Sequence, residues 1–319
     1  MQKEKRIPDD VREILAQYPF RDPEIRFLRR NENEVFAVRD GAERFVLRIQ
    51  RPAEGFSLRP LYGETSPAVY LDGELDLLEF LRECAEFPVQ QPVRNRMSGR
   101  ITSLPDGCAA SMLTWVEGRA IDQLPLDRER CFRAGHAAAI MQSALAGCRI
   151  PARYTYDEKL LIRAGEEIAR AADGGGLPGD FAFRAVKTID RLTDRLLRDG
   201  NRMVHADLTP SNLLDTGKGI VPVDFSLAGY SRPEMDIAAF FFCVGDKRLE
   251  KSFLSGYRSG GAEAPDRELL DLFLVFQAVL YLACQHEKYR RSGTLPSLCA
   301  DWDARIFRPF LEGNAVLPR

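Results

Sequence analysis

Twenty residues, His205 to Asp224, constrain this chain more than all the others together. The run His205-Ala206-Asp207-Leu208-Thr209-Pro210-Ser211-Asn212 has the form H-x-D-x-x-x-x-N. Apolar Leu213-Leu214 follows, then a turn at Thr216-Gly217-Lys218-Gly219, then Ile220 to Val223 closing on Asp224-Phe225. Two short apolar strands around a Gly-containing turn form a hairpin, which folds Asn212 and Asp224 back beside each other. Any one of these residues is an ordinary polar loop residue. The joint spacing, with five residues from Asp207 to Asn212 and an apolar strand ending in Asp-Phe, is not an ordinary coincidence.

Those residue types at that spacing suit phosphoryl transfer. Its transition state is mainly positioned and neutralised rather than covalently captured, so few protein parts are needed. One carboxylate must orient or deprotonate the attacking hydroxyl, and Asp207 is placed for that. Oxygen ligands must hold Mg²⁺ between the phosphates of ATP, and Asn212 with Asp224 supplies them. His205 is expected to pack and hydrogen-bond the backbone around Asp224 rather than act as the base. His136 and His286 stand alone on helical stretches and read as structural.

The rest of the chain is that of an ordinary globular protein. Hydrophobic residues make up 45% and charged residues 29% of 319, which excludes disorder and implies more than one lobe. A net charge of −2 carries no electrostatic footprint for nucleic acid or an anionic membrane. The seven cysteines form no C-x-x-C pair and are odd in number, so neither a zinc site nor a disulfide framework is expected, and a reducing cytoplasm fits best. The charged start Met1–Arg6 has no apolar run behind it and does not read as a secretion signal. Leu269–Cys284, interrupted by Asp271 and Gln277, reads as a buried helix too short and polar to span a bilayer.

A helix is expected over 8–18. Strands follow at Ile25–Leu28, Glu34–Val38 and Arg44–Ile49, with an Asp40-Gly41 hairpin turn between the last two. Pro52–Pro67 reads as a loop. From Asp72, Leu75, Leu78 and Leu81 recur at helical spacing. Arg100–Leu104 and Cys108–Val116 read as strands around a Pro105-Asp106-Gly107 turn. Beyond Gly118 the pattern is mostly helical: Leu126–Cys148, Glu158–Ala172, Phe181–Arg198, and the remainder from Pro233. A β-rich first third and an α-rich remainder predict an α+β, two-lobed fold with a cleft between the lobes. The expected lobes are 1–116 and 117–319.

The His205–Asp224 segment resembles the aminoglycoside phosphotransferase and choline kinase family, distant relatives of the protein kinases. Its signature opens His-Gly-Asp, carries Asn five residues after the Asp, and closes on an Asp ending the next strand. Here Ala206 replaces the Gly, a minor change, and Ser226 replaces a second acidic residue common two positions after the metal Asp. The resemblance covers most of the chain and implies a protein-kinase-like fold. It implies that Arg48, in Phe45–Ile49, touches the α/β-phosphates, a role for which a forked guanidinium is suited. It implies a helix carboxylate holding Arg48: Glu74, which begins the buried face, with Glu79 as competitor and Asp72 open to reading as a cap. The phosphate loop would be Arg30–Val35, which lacks glycine, with Asn31 and Asn33 as candidates. Met112–Gly118 looks like the hinge, where backbone groups at Thr114 and Val116 would read adenine, and Trp115 is either a pocket wall or core. Asp236 matches a structural Asp that fixes the catalytic loop.

Only twelve residues separate Asp224 from Asp236, too few for a peptide-docking activation segment. The implied acceptor is therefore a small-molecule hydroxyl such as an aminoglycoside, choline or homoserine, with no nucleic-acid or membrane partner, and the oligomeric state stays open. An amine-bearing acceptor would call on Glu287, Asp301 and Asp303. The alternatives are a catalytically silent nucleotide-binding protein of this fold and a kinase acting on protein substrates.

Overall fold

The computed structural model describes residues 8–196 and 201–316. The last two residues of the helix expected over Phe181–Arg198 lie outside that range. The first third holds α1 (Asp9–Ala16), β1 (Glu24–Arg30), β2 (Glu34–Asp40), β3 (Glu43–Ile49), α2 (Arg59–Tyr62), α3 (Pro67–Cys84), β4 (Pro92–Val93), β5 (Ile101–Ser103) and β6 (Ala109–Thr114). β1-β2-β3-β6-β4 form one sheet in that order, and β5 also pairs with β6. All these pairs are antiparallel. The expected β2–β3 hairpin turns on Gly41, whose φ of 61° is open to glycine at little cost.

Alternation along β3 gives the sheet two unlike faces. Leu47 and Ile49 join Phe36, Val38 and Met112 in a core closed off by Val11, Ile14, Leu15 and Tyr18 from α1 and the turn after it. Val46 and Arg48 face the other way, where Val46 packs against the larger core. β1 departs from regular pairing: Phe27 pairs with Phe36, but Arg29 pairs with Val35, so one extra residue is inserted between them. Such a bulge reverses the alternation beyond it. Arg29 is thereby moved from the face of Phe27 to the face of Val35 and its β3 partner Arg48.

The Pro52–Pro67 stretch is not wholly loop. It contains the single turn of α2, and α3 begins at Pro67, five residues before Asp72. Asp72 is therefore inside the helix, with Ser66 at the cap position. The remainder holds β7 (Arg119–Ala120), α4 (Arg128–Leu145), β8 (Tyr154–Thr155), α5 (Glu158–Asp173), α6 (Gly179–Leu196), β9 (Arg202–Val204), β10 (Leu213–Asp215), β11 (Ile220–Pro222) and β12 (Gly229–Ser231). Five helices follow: α7 (Glu234–Val244), α8 (Lys247–Ser259), α9 (Arg267–Arg291), α10 (Leu295–Trp302) and α11 (Arg308–Leu311). The two-residue strands β4, β7 and β8 carry no alternation to read, and sequence reasoning missed them.

Two three-stranded sheets, β11-β10-β7 and β8-β12-β9, support the catalytic segment. α4 and α8 lie so close that a β-carbon on Gly135 would strike the Phe253 carbonyl, and one on Gly256 the Phe132 carbonyl. The Leu269–Cys284 stretch belongs to the 25-residue α9, which is long and apolar enough to cross a membrane by length and composition. Its burial beneath α5, α6 and α7 makes it the core of this half, with Leu272, Val275, Phe276 and Leu282 at the centre.

Candidate active site

The hairpin expected from sequence is β10–β11, with Leu213 paired to Pro222, and it flanks the cluster of polar groups. Asp207 lies between β9 and β10. Its Oδ2 accepts from Asn212 Nδ2 at 2.8 Å, and the same amide donates to the Asp207 carbonyl at 3.0 Å. With its NH₂ committed there, Asn212 offers its amide oxygen to any cation. The Tyr281 hydroxyl, on α9, donates to Asp207 Oδ1 at 3.3 Å. Burial, and then the carboxylates of Glu32 and Asp224, push Asp207 up to about 8.

The loop's backbone is held from below. Asp236, fully buried, accepts from the Ala206 N–H at 2.7 Å, the His205 N–H at 3.3 Å and Gln142 Nε2 at 3.0 Å. His205 donates from Nε2 to the Val223 carbonyl at 3.0 Å and packs on Phe225. Burial lowers its pKa, and its two contacts make it a strut between the Asp207 loop and the strand that ends at Asp224. Replacement of Gly by Ala206 is less minor than it reads in sequence. Ala206 sits at φ 65°, where a β-carbon costs about 1 kcal/mol, and the Asp236 hydrogen bonds hold it there.

Asp224 is 8% exposed and also left-handed, at φ 65°. Its Oδ2 accepts from Arg29 Nη2 at 2.7 Å, while Arg48 Nη1 stands 3.6 Å from Oδ1. Burial raises its pKa, but Arg48, Arg29 and the Ser226 hydroxyl outweigh that and hold it well below the usual carboxylate range. Arg153, 5% exposed, fastens the loop after Asp224: it donates to the carbonyls of Phe225, Ser226 and Ala228, and to that of Tyr70 on α3. The donor set suits Mg²⁺, since all its atoms are oxygens and Asp224 Oδ1, though buried, has no hydrogen-bond partner. Among the described residues no three His, Cys, Asp or Glu groups converge to cage a metal. A cation held by Asp224 and Asn212 would thus take its other ligands from phosphate and water.

Arg48 and Glu74 form a two-pronged ion pair, Nη1–Oε1 2.6 Å and Nη2–Oε2 2.9 Å, at 6% and 2% exposure. Glu74 shares the buried face of α3 with Leu71, Leu75, Leu78 and Leu81. Glu79 lies on the opposite side, where it binds Arg94 and Arg100 together with Asp72 and Asp76. Asn33 and Glu32, in the turn between β1 and β2, join Arg48, Glu74, Tyr62 and Ser226 around a cavity of about 10 Å³. Burial and Asp224 push Glu32 up to about 7. Asn31 Oδ1 accepts from Lys288 Nζ at 3.1 Å, which ties the loop to α9. At the hinge, Thr114 accepts from Gln90 through its carbonyl and from the Gln91 N–H through its hydroxyl. Thr114, Trp115 and Val116 wall a cavity of about 960 Å³ with Phe132, His136 and Ile140 of α4, and neither Arg48, Asp207 nor Asp224 lines it. Trp115 is capped by the Arg44 guanidinium at 4.2 Å.

Beside Asp207, Tyr281 meets Phe242 edge-on at 5.4 Å, Phe242 meets Trp302 at 5.6 Å, and Trp302 meets Tyr289 at 6.3 Å. The three carboxylates expected to read an amine are all occupied by arginine. Glu287 binds Arg290 and Arg291, Asp301 binds Arg305, and Asp303 binds Arg184 and Arg308. Sequence reasoning missed Arg29, Glu32, Arg153 and Tyr281. Arg29 is turned inward by a bulge, and Tyr281 hides in an apolar helix, so neither leaves a sequence signal.

A model of the phosphotransferase enzyme family, APH, matches residues 24–273. No curated protein gives a significant sequence match. The fold is similar to that of the microcompartment-associated aminopropanol kinase, with a TM-score of 0.76 at 22% identity over 97% of this chain and 99% of that one. It is similar also to amicoumacin kinase hAmiN, solved with AMP-PNP, Ca²⁺ and Ami (TM-score 0.71, 18% identity, 97% and 94% covered). A third likeness is to spectinomycin phosphotransferase APH(9)-Ia, solved with ADP and spectinomycin (0.62, 14%, 98% and 97%). At these identities the structural likeness establishes the fold.

Proposed function

Since the chain belongs to the phosphotransferase enzyme family, we propose that it transfers the γ-phosphoryl group of ATP to a hydroxyl of a small molecule. The observation that carries this reading is the joint arrangement of Asp207, Asn212 and Asp224 across the catalytic loop from the Arg48–Glu74 pair. Asp207 orients the acceptor hydroxyl and takes its proton as the new P–O bond forms. Arg48, held flat by Glu74, aligns the phosphates. Asp224 and the Asn212 amide oxygen would hold Mg²⁺, which when bound would neutralise charge on the phosphate oxygens. Residues 1–116 act as the nucleotide lobe with the hinge at their end, and 117–319 as the catalytic and acceptor lobe.

The acceptor side favours a compact compound over a polycation. A polyamine sugar needs several unpaired carboxylates, and Glu287, Asp301 and Asp303 are each committed to arginine. The aromatic rings of Tyr281, Phe242 and Trp302 suit a small alcohol with apolar atoms or a single amine. Aminopropanol, the compound in the name of one structural relative, is of that kind. The test is release of ADP from Mg·ATP in a panel of small amino alcohols, neutral alcohols and aminoglycosides. Stimulation by the small alcohols supports the reading. A panel with no stimulation, alongside intact Mg·ATP binding, supports the silent nucleotide-binding protein instead, and phosphate appearing only on protein supports a protein kinase.

A further inference from the structure

Arg29 is the charged group that phosphoryl transfer by Asp207, Asn212, Asp224 and Arg48 leaves unexplained. It lies in β1, 195 residues from Asp224, and its 2.7 Å bond joins the first sheet to the catalytic half. Only the bulge between Phe27 and Arg29 directs it there; regular pairing would put it on the α1 side of the sheet with Phe27. Its side chain is 37% exposed, so it is anchored on Asp224 while part of it stays open to solvent. The carboxylate it grips is the one that a divalent cation would need, and its other oxygen, 3.6 Å from Arg48 Nη1, has no hydrogen-bond partner. Glu32 follows three residues later and lines the small cavity beside Arg48 and Glu74.

We propose that Arg29 is a stand-in cation. In the free enzyme it neutralises Asp224 and latches the first sheet to the catalytic loop. The divalent cation displaces it from Asp224, and the released guanidinium pairs with the nucleotide phosphates. No bond is made or broken covalently; one cation replaces another at a carboxylate, and the freed one moves to a new anion. The inference rests on Asp224 being the cation ligand, and it adds that cation binding and phosphate capture are coupled through one β1 side chain.

The experiment uses the full chain, Mn²⁺, and a fluorescent non-hydrolysable ATP analogue, with four variants checked for wild-type melting before use. Arg29→Met is expected to lower the Mn²⁺ concentration for half-maximal analogue binding by about fivefold, because a part-exposed charged contact no longer competes. At saturating Mn²⁺ the same variant is expected to bind the analogue about fivefold more weakly, because a phosphate partner is gone. Arg29→Lys falls between wild type and Arg29→Met on both measures. Arg12→Met removes the same charge from an exposed side chain of α1, on the other side of the first sheet, and should move neither. Both measures shifting the same way in Arg29→Met, or Arg12→Met shifting them equally, overturns the proposal. Unchanged Mn²⁺ dependence in Asp224→Asn instead shows that the assignment of Asp224 is at fault.

Discussion

Removing either half of the Arg48–Glu74 pair should destabilise the protein, and the two losses should differ. Arg48→Met leaves the Glu74 carboxylate at 2% exposure with its one salt-bridge partner among the described residues gone. Breaking a buried pair this way costs about 3–5 kcal/mol, and the absence of a second cation puts Arg48→Met near 4 kcal/mol. Glu74→Gln leaves Arg48 with Asp224 at 3.6 Å, and the amide oxygen still accepts one of the two hydrogen bonds, so about 2 kcal/mol is expected. The double variant leaves no buried charge at position 74 to strand. Its loss should fall short of the sum by about 2 kcal/mol, the size of a coupling between touching charges. Urea unfolding without nucleotide, with equal slopes across the four proteins, reads these values. A loss below about 1 kcal/mol for Arg48→Met, or additivity within about 0.5 kcal/mol, would refute the argument that burial makes the pair strong.

Asp207→Asn should lower transfer by at least roughly a hundredfold, the scale of a lost general base, while calorimetry finds Mg·ATP binding nearly intact; equal turnover would remove Asp207 from that role. Asp224→Ala should abolish Mg²⁺-dependent nucleotide binding, and Ser226→Ala should change it by less than roughly threefold, since a hydroxyl is a poor cation ligand beside a carboxylate. A titration in which Ser226→Ala is the more damaging would reassign the cation site. Gly135→Ala would ordinarily stabilise a helix by up to about 1 kcal/mol. Here its β-carbon meets the Phe253 backbone, so a loss of about 2 kcal/mol, read as a lower melting temperature, is expected.

The sequence by itself determined the parts of this protein that are local. Asp207, Asn212 and Asp224 fall within eighteen residues, and a short turn and a hairpin between them settle their grouping whatever surrounds them. Alternation and the Asp40-Gly41 turn placed β2 and β3, and helical spacing favoured Glu74 at the start of the buried face of α3 with Glu79 as a competitor, which the structure places off that face. The tertiary structure alone decided how charges separated by long stretches of chain pair up. Arg48 becomes a buried ion-pair partner and not an exposed strand residue because α3 crosses that face of the sheet. Asp303 meets Arg184 only through tertiary packing, whereas the pairs of Glu287 with Arg290 and Arg291 and of Asp301 with Arg305 follow the three- and four-residue spacing of a helix face. Ala206 is strained by the three hydrogen bonds converging on Asp236 from two distant segments. Arg29 reaches Asp224 because one extra residue in β1 reverses which face its side chain takes. Sequence spacing encodes periodicity within an element, and it is silent on where two backbones cross or where a ladder slips by one.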